Sequence, residues 1–145
     1  MKIHELGHAV LYVTDVERST HFYRDILGFQ VIGTAPGMAA FSSGRTHHEL
    51  LLIEIGGKPK LKKTIESGLY HLGFKLGNTL KELKAALAEL QRANIEIIGT
   101  ADHTVTQSIY IKDPDGNEIE LYVDVSDEWK RNPKVVLSPT KHLQL

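Results

Sequence analysis

Short apolar-rich stretches, some with alternating apolar and polar residues, recur along the chain, and two longer stretches place apolar residues at helical spacing. The short stretches are rich in β-branched and aromatic residues, which favours strands. They are residues 8–13, 29–32, 38–41, 48–55, 71–76, 95–98, 108–112 and 117–123. The helical stretches begin at Asp15, which can cap a helix that Gly28 ends, and at Thr79, which forms a capping-box pattern with Glu82.

The predicted elements occur twice in the same order: strand, helix, strand, strand, strand. Residues 31–34 (Val-Ile-Gly-Thr) match residues 97–100 (Ile-Ile-Gly-Thr), and His8 matches His71 at the start of each first strand. An internal repeat of this kind describes the fold before it describes function. We therefore predict an α+β protein of two βαβββ modules in tandem. Its segments are a first module at 1–56, a linker at 57–67, a second module at 68–125 and a C-terminal tail at 126–145.

Composition and charge exclude several classes of protein. The 145 residues are 41% hydrophobic and 24% charged, which fits one compact domain or two very small units that share a core. The formal net charge of -1 argues against electrostatic binding to nucleic acid or membranes. Without cysteine there are no disulfides, thiolate metal sites or Cys nucleophiles. The amino terminus lacks a long apolar run, so we expect a soluble cytoplasmic protein.

Histidines and one glutamate fall on equivalent positions of the two halves. Overlaying the last turns at Gly44 and Gly116 places His48 on Glu120. In each predicted strand, the alternation places His8, His71, His48 or Glu120 on the face opposite the apolar residues. The apolar set is Ala9, Leu11, Val13, Leu51, Ile53, Leu72, Phe74, Leu76, Ile119 and Leu121. If the apolar faces pack on the helices, the imidazoles and the carboxylate project from the other face, where they suit a divalent metal.

The stretch from Tyr110 to Tyr122 predicts a hairpin that carries the glutamate. Its turn, Asp113-Pro114-Asp115-Gly116, combines a proline that restricts φ with a glycine that accepts a positive φ. After the turn, Glu118, Glu120 and Tyr122 alternate with apolar residues. Taken alone, this stretch indicates a solvated surface carboxylate equally well.

Three segments resemble the hallmark segments of a known family. They are residues 6–15 (LGHAVLYVTD), 22–29 (FYRDILGF) and 113–121 (DPDGNEIEL). They resemble the vicinal oxygen chelate superfamily, also called the glyoxalase/bleomycin-resistance/dioxygenase fold, from about Leu6 to Asp124. The resemblance implies two βαβββ modules that form an open, cup-like mixed sheet around a metal, with helices on the outer face. It implies that His8, His71 and Glu120 are the ligands, a facial triad that suits Fe(II) and oxygen chemistry.

Further features resemble the extradiol, catechol-cleaving dioxygenases of this superfamily. His47-His48 before an apolar strand resembles their segment with an acid/base histidine, and His103 and Tyr110 resemble their substrate-contacting residues. In glyoxalase-like members, the position of His48 usually carries a fourth metal ligand. Glu49 is adjacent, but strand alternation sends it to the opposite face, which favours the dioxygenase. A role for His48 as fourth ligand stays open.

The resemblance implies an Fe(II)-dependent dioxygenase that opens a catechol-like aromatic diol with O₂, with Mn, Ni or Zn as alternative metals. Other functions in the superfamily are a glyoxalase-type lyase or isomerase, a fosfomycin-resistance-like thiol transferase, and a metal-free drug-binding protein of the bleomycin-resistance type. One pair of modules resembles the one-domain type of dioxygenase. We expect a homodimer or higher homo-oligomer to cover its sheet edges. The tail, with Trp129 and Pro133, is expected to pack over the cup or a partner subunit.

Overall fold

Two four-stranded sheets form, one from each half of the chain. The computed structural model describes residues 1–59, 65 and 67–145. The first sheet contains β1 (Ala9–Val13), β2 (Gln30–Ala35), β3 (Met38–Ser42) and β4 (Leu50–Glu54). The second sheet contains β5 (His71–Gly77), β6 (Gly99–Asp102), β7 (Thr106–Lys112) and β8 (Glu118–Asp124). Helix α1 (Val16–His21) follows β1, and helix α2 (Leu80–Arg92) follows β5.

Both sheets have the same topology, in which the first strand of each half pairs with the last. The strand orders are β1-β4-β3-β2 and β5-β8-β7-β6. The first and last strands run parallel, and the other neighbours run antiparallel. This arrangement confirms the predicted α+β class with two βαβββ modules.

The chain forms two compact units, one for each sheet. The first unit holds β1 to β4 and also Pro114–Gly116, whereas the second holds β5 to β8, α2 and the C-terminal segment. The middle of the predicted linker, residues 60–64 and 66, lies outside the described residues. The module boundaries drawn from the sequence therefore stay a prediction.

Each sheet buries one apolar face against its own helix. Helix α1 contacts β3 and β4, and helix α2 contacts β5, β7 and β8. The buried residues include Leu11, Val13, Phe22, Tyr23, Phe41, Leu50 and Leu52 in the first unit. In the second unit they include Leu83, Leu90, Ile109, Ile111, Ile119, Leu121 and Val123. Full burial of one such side chain stabilises the fold by about 1.5–3 kcal/mol.

The predicted alternation of β4 is wrong by one residue. Leu50 and Leu52 are fully buried, whereas Leu51 and Ile53 are partly exposed. The strand begins at Leu50 rather than at His48, because the preceding residues form bends and irregular structure. Strand β1 pairs with β4 so that Ala9 lies opposite Leu50, which directs Leu50 to the core face. Pairing with β1 thus decides which residues of β4 are buried. The apolar run at residues 50–53 contains no signal for this choice.

The strand registers also revise the equivalence between the two halves. Ala9 lies opposite Leu50 in the first sheet, and Leu72 lies opposite Ile119 in the second. If His8 and His71 are equivalent, Leu51 is therefore the counterpart of Glu120. The overlay of His48 on Glu120 was wrong, because the loop before β4 is longer than the turn before β8. An apolar residue thus replaces the carboxylate in the first half.

Helix α1 begins and ends as predicted but changes type inside. The Asp15 side chain accepts a hydrogen bond from the Arg18 backbone N–H at 2.9 Å, and Gly28 after the helix has a φ of +77°. Residues Phe22–Ile26 form a π-helical turn, in which Leu27 N–H donates to the Phe22 carbonyl at 3.1 Å. Apolar residues at helical spacing do not distinguish this rare turn from an α-helical one, so the sequence did not predict it.

Helix α2 has the predicted capping box. The Thr79 hydroxyl oxygen accepts from Glu82 N–H at 3.3 Å, and the Glu82 carboxylate accepts from Asn78 N–H at 2.9 Å. The Thr79 hydroxyl also donates to this carboxylate at 2.7 Å. These hydrogen bonds, that of Thr79 first, hold the pKa of Glu82 below its ordinary value.

We expect Thr79→Ala to lower the free energy of unfolding by about 1 kcal/mol at neutral pH, because the helix loses its N-cap. A carboxyl group with a lowered folded-state pKa stabilises the fold above its unfolded pKa, and this stabilisation disappears as the pH falls through the folded pKa. The difference from wild type should therefore narrow on acidification. Urea denaturation at neutral and acidic pH measures it. Thr79→Ser keeps the hydroxyl and should remain close to wild type; an equal loss in both variants contradicts the cap.

The segments around β6 differ from the prediction. Residues 95–98 are not a strand, because the chain leaves α2 through Asn94, whose φ is +55°, and enters β6 only at Gly99. The tail contains two short 3₁₀ helices, Glu128–Lys130 and Pro133–Leu137. It then packs on the second unit through a bridge between Lys141 and Asp102. No helix in the described part of the chain has the length and hydropathy needed to cross a lipid bilayer.

Candidate active site

Strands β5, β7 and β8 place a group of polar side chains on one face of the second sheet. Ile109, Ile119 and Leu121 face the core, so the residues between them face the other way. Tyr110 lies opposite Glu120 in the β7–β8 register. Strand β5 runs on the other side of β8 and brings His71 to the same face.

The structure brings His71 and Glu120 together. Nε2 of His71 lies 3.1 Å from Oε2 of Glu120, and the two side chains are 27% and 14% exposed. Two ligands that bind one ion at about 2.0–2.2 Å are themselves about 3 Å apart. Nδ1 of His71 is buried without a hydrogen-bond partner among the described residues, and the Glu118 carboxylate lies 3.7 Å away. A nearby carboxylate is the usual neighbour of the non-ligating nitrogen, so this pair fits a divalent metal.

Two hydroxyl groups hold the other oxygen of Glu120. Ser108 Oγ donates to Oε1 at 2.6 Å, and the Tyr110 hydroxyl donates to the same oxygen at 3.0 Å. Ser108 is fully buried. These two bonds orient the carboxylate and leave Oε2 beside His71. The sequence prediction missed Ser108, although it lies two residues before Tyr110 on the same strand face and alternation points to it.

Tyr110 connects Glu120 to His103. His103 Nε2 lies 2.7 Å from the Tyr110 oxygen, and Thr140 Oγ1 lies 3.2 Å from His103 Nδ1. Because the Tyr110 hydroxyl donates to Glu120, its oxygen accepts from Nε2–H of His103, and Nδ1 accepts from Thr140. Burial first, and the charge of Glu120 second, raise the pKa of Tyr110, so it stays a protonated donor. The sequence prediction missed Thr140, which is far from His103 along the chain.

The first unit holds the other predicted site residues. The ring centroids of His8 and His48 are 4.4 Å apart, and Nδ1 of His48 lies 2.6 Å from Nδ1 of His47. Partial burial first, and the neighbouring His8 and His47 next, lower the pKa of His48. Its imidazole is therefore neutral near pH 7.

The Glu49 carboxylate forms hydrogen bonds and an ion pair within its own loop. Its carboxylate accepts from the backbone N–H of Ser43 at 2.8 Å and from the Ser43 hydroxyl at 3.0 Å. Arg45 Nε lies 3.5 Å away. These contacts give Glu49 a structural role at the start of β4. The sequence prediction placed Glu49 and His48 on opposite faces of a strand. Strand β4 begins only at Leu50, after both residues, so strand alternation does not apply to them.

The structure thus gathers the predicted residues into two groups. His71, Glu120, His103 and Tyr110 lie together in the second unit, and His8 lies beside His48 in the first. Within the described ranges, no three His, Asp or Glu side chains form a group that could hold a metal ion together. Joint metal binding by His8, His71 and Glu120 stays a prediction.

We expect Ser108→Ala to weaken metal binding by about 10–100-fold, the usual effect of losing a residue that orients a metal ligand. The reason is that Glu120 keeps the hydrogen bond from Tyr110 but loses the shorter one from Ser108. Competition with a chromophoric chelator measures the affinity without any turnover. Ser42→Ala is the matched control, because Ser42 is also a buried serine, but its hydroxyl donates to the Thr46 carbonyl. Equal affinities for the two variants would contradict the positioning role.

Comparisons with known proteins match most of the chain. A family model described as Glyoxalase/Bleomycin resistance protein/Dioxygenase superfamily matches residues 5–121. The chain is 37% identical over 134 residues to a catechol-2,3-dioxygenase of Bacillus subtilis (strain 168), covering 90% of this chain and 46% of that protein. It is 34% identical over 121 residues to biphenyl-2,3-diol 1,2-dioxygenase 3 of Rhodococcus globerulus, covering 82% of this chain and 63% of that protein. The chain thus spans about half to two thirds of the length of these relatives.

A solved structure shows the same fold. A glyoxalase/dioxygenase from Nostoc punctiforme superposes with a TM-score of 0.68 at 22% identity, over 85% of this chain and 92% of that one. This likeness supports the two-module architecture independently of the site residues.

Proposed function

Because the chain belongs to the glyoxalase/bleomycin resistance protein/dioxygenase superfamily, we propose that it is an extradiol dioxygenase that cleaves a catechol-like aromatic diol with O₂. The 34–37% identical relatives named as diol dioxygenases support this assignment. The observation that carries it is the hydrogen-bonded chain from His103 through Tyr110 to Glu120. This chain sets two donors directly beside a carboxylate that can bind a metal.

His71 Nε2 and Glu120 Oε2 would hold the metal, with His8 as the predicted third ligand. We propose Fe(II), because two imidazoles and one carboxylate leave open positions that suit non-haem iron. When bound, the metal supplies a Lewis-acidic, redox-active centre for the diol and O₂.

The protein's own side chains would orient the substrate and transfer protons to and from it. The Tyr110 hydroxyl and the Nε2–H group of His103 are bonded in a chain to Glu120, and to steady the diol oxygens they would exchange these hydrogen bonds for bonds to the substrate. Nδ1 of His48 lies 2.6 Å from Nδ1 of His47, so we propose that His48 transfers protons through its Nε2. General acid–base help of this kind contributes about 10²–10⁴-fold to a rate.

The test uses protein purified without air, loaded with Fe(II), and supplied with a panel of catechols. We expect O₂ uptake at an oxygen electrode together with a yellow ring-opened product. We also expect loss of activity in air and recovery with Fe(II) and ascorbate. Metal binding without O₂ uptake on any diol would contradict the dioxygenase assignment.

A glyoxalase-type lyase or isomerase, or a thiol transferase, is the second candidate. It is favoured by the proximity of His48 to His8, with ring centroids 4.4 Å apart, since this places a potential fourth ligand beside a predicted one. Zinc, nickel or manganese bound through four side chains including His48, without O₂ uptake, would support this class.

A further inference from the structure

Trp129 is the chain's single tryptophan, and it lines two cavities of the second unit. The first cavity, of about 250 Å³, is lined by Trp129 together with Val105, Thr106, Glu120, Tyr122, Asp124 and Val136. The second, of about 500 Å³, is lined by Trp129 together with Lys75, Asn78, Asp124, Val125, Asp127 and Lys130, and by Ser126. Trp129 and Asp124 line both cavities, so the indole stands at their boundary.

The first cavity adjoins the proposed metal ligand. Glu120 forms part of its wall, so a diol whose oxygens lie beside Glu120 would extend its ring into this space. The walls suit an aromatic ring, because Val105, Tyr122 and Val136 present apolar surface. Trp129 and Val136 are 45% and 54% exposed, and a bound ring would bury part of this apolar surface.

Strand β5 has no side chain at the position that pairs with Glu120. Gly73 is the residue of β5 opposite Glu120 and carries no side chain. A Cβ at Gly73 would lie 3.5 Å from both Glu120 Oε2 and Tyr122 Cε1. Both distances are ordinary van der Waals contacts, so the side chains of Glu120 and Tyr122 lie over this glycine.

The volume limits what the first cavity holds. An apolar cavity of about 150 Å³ accommodates benzene. The cavity beside Glu120, at about 250 Å³, has room for one substituted ring, and a second ring would need the space beyond Trp129. At that boundary the Asp124 carboxylate forms an ion pair with Lys75 Nζ at 2.5 Å. The negative charge of Asp124 at the edge of the cavity is therefore neutralised.

We propose that Trp129 sets the size of the aromatic diol, so that the native protein takes single-ring diols and rejects two-ring diols. This inference rests on the proposed function, because the diol is placed by the metal at Glu120. Removal of the indole joins the two cavities and admits a second ring. Trp129 lies in the 3₁₀ helix Glu128–Lys130 and is not part of the core, so its replacement leaves the fold intact.

The experiment compares the Fe(II)-loaded wild type with Trp129→Ala on catechol and biphenyl-2,3-diol. For each diol, kcat/KM is measured from ring cleavage, and affinity is measured without O₂ by calorimetry. We expect the wild type to favour catechol, and Trp129→Ala to shift the ratio toward the two-ring diol by at least about tenfold. Trp129→Phe should give a smaller shift. Leu137→Ala is the control, because Leu137 lies in the other 3₁₀ helix of the tail and lines neither cavity.

The outcomes separate this inference from the proposed function. Cleavage of both diols with an unchanged ratio in Trp129→Ala overturns the role of Trp129 and leaves the dioxygenase in place. Absence of cleavage, with an affinity ratio that shifts in Trp129→Ala, overturns the dioxygenase and supports the size limit. A wild type that binds the two-ring diol as well as catechol overturns the size limit, and so does a wild type that binds neither.

Discussion

The Glu120→Ala variant is expected to bind no stoichiometric metal and to lose ring cleavage. Glu120 is the only carboxylate proposed as a ligand, and its removal leaves His71 as the single proposed ligand in the second unit. It also leaves the donors of Ser108 and Tyr110 without their acceptor. We expect metal affinity to fall by more than about 100-fold, beyond the effect typical of residues that only orient a ligand.

Metal content after dialysis, and chelator competition, measure this loss. Glu118→Gln is the matched control, because Glu118 lies two residues away on the same strand face and reaches only within 3.7 Å of His71 Nδ1. It should retain metal at a lower affinity. Glu120→Gln keeps the size of the side chain and removes its charge. If it loses as much metal affinity as Glu120→Ala, the negative charge of Glu120 accounts for metal binding. Full metal retention by Glu120→Ala would end the proposed metal site.

The His48→Ala variant should keep its metal and lose turnover. The expected decrease in kcat is about 10²–10⁴-fold, the usual contribution of a general acid or base. Metal content and O₂ uptake on catechol, measured on the same preparation, separate the two effects. His47→Ala tests the neighbour that contacts His48 through Nδ1, and we expect it to retain metal with a much smaller loss of rate. If His48→Ala loses metal as completely as Glu120→Ala, then His48 is a fourth ligand and the lyase class gains support.

Much of the second unit could be predicted from local sequence. The capping box at Thr79 and Glu82, the turn before β8, and the alternation that puts Glu120 opposite the core all depend on residues close together in the chain. Such patterns act through short-range hydrogen bonds and the two-residue period of a strand. The same alternation in two strands predicted that His71 and Glu120 project from the face opposite the core, and the family resemblance implied their role as metal ligands.

Parts of the first half could not be predicted in this way. The run Leu50-Leu51-Leu52-Ile53 is apolar throughout, so its sequence contains no signal for which residues face the core. Pairing with β1 decided the register, and burial of Leu50 and Leu52 followed. In this register the counterpart of Glu120 is Leu51 and not His48. The internal repeat therefore does not support a site role for His48.

The sequence by itself determined the repeated βαβββ order, the helix starts and the strand face that carries Glu120, because periodicity and capping are local properties of the chain. Tertiary structure alone decided the register of β4, the support of Glu120 by Ser108, the contact of Thr140 with His103 and the position of Trp129 between two cavities. These features join residues that are distant in the chain, and the packing that brings them together has no signature in any single segment.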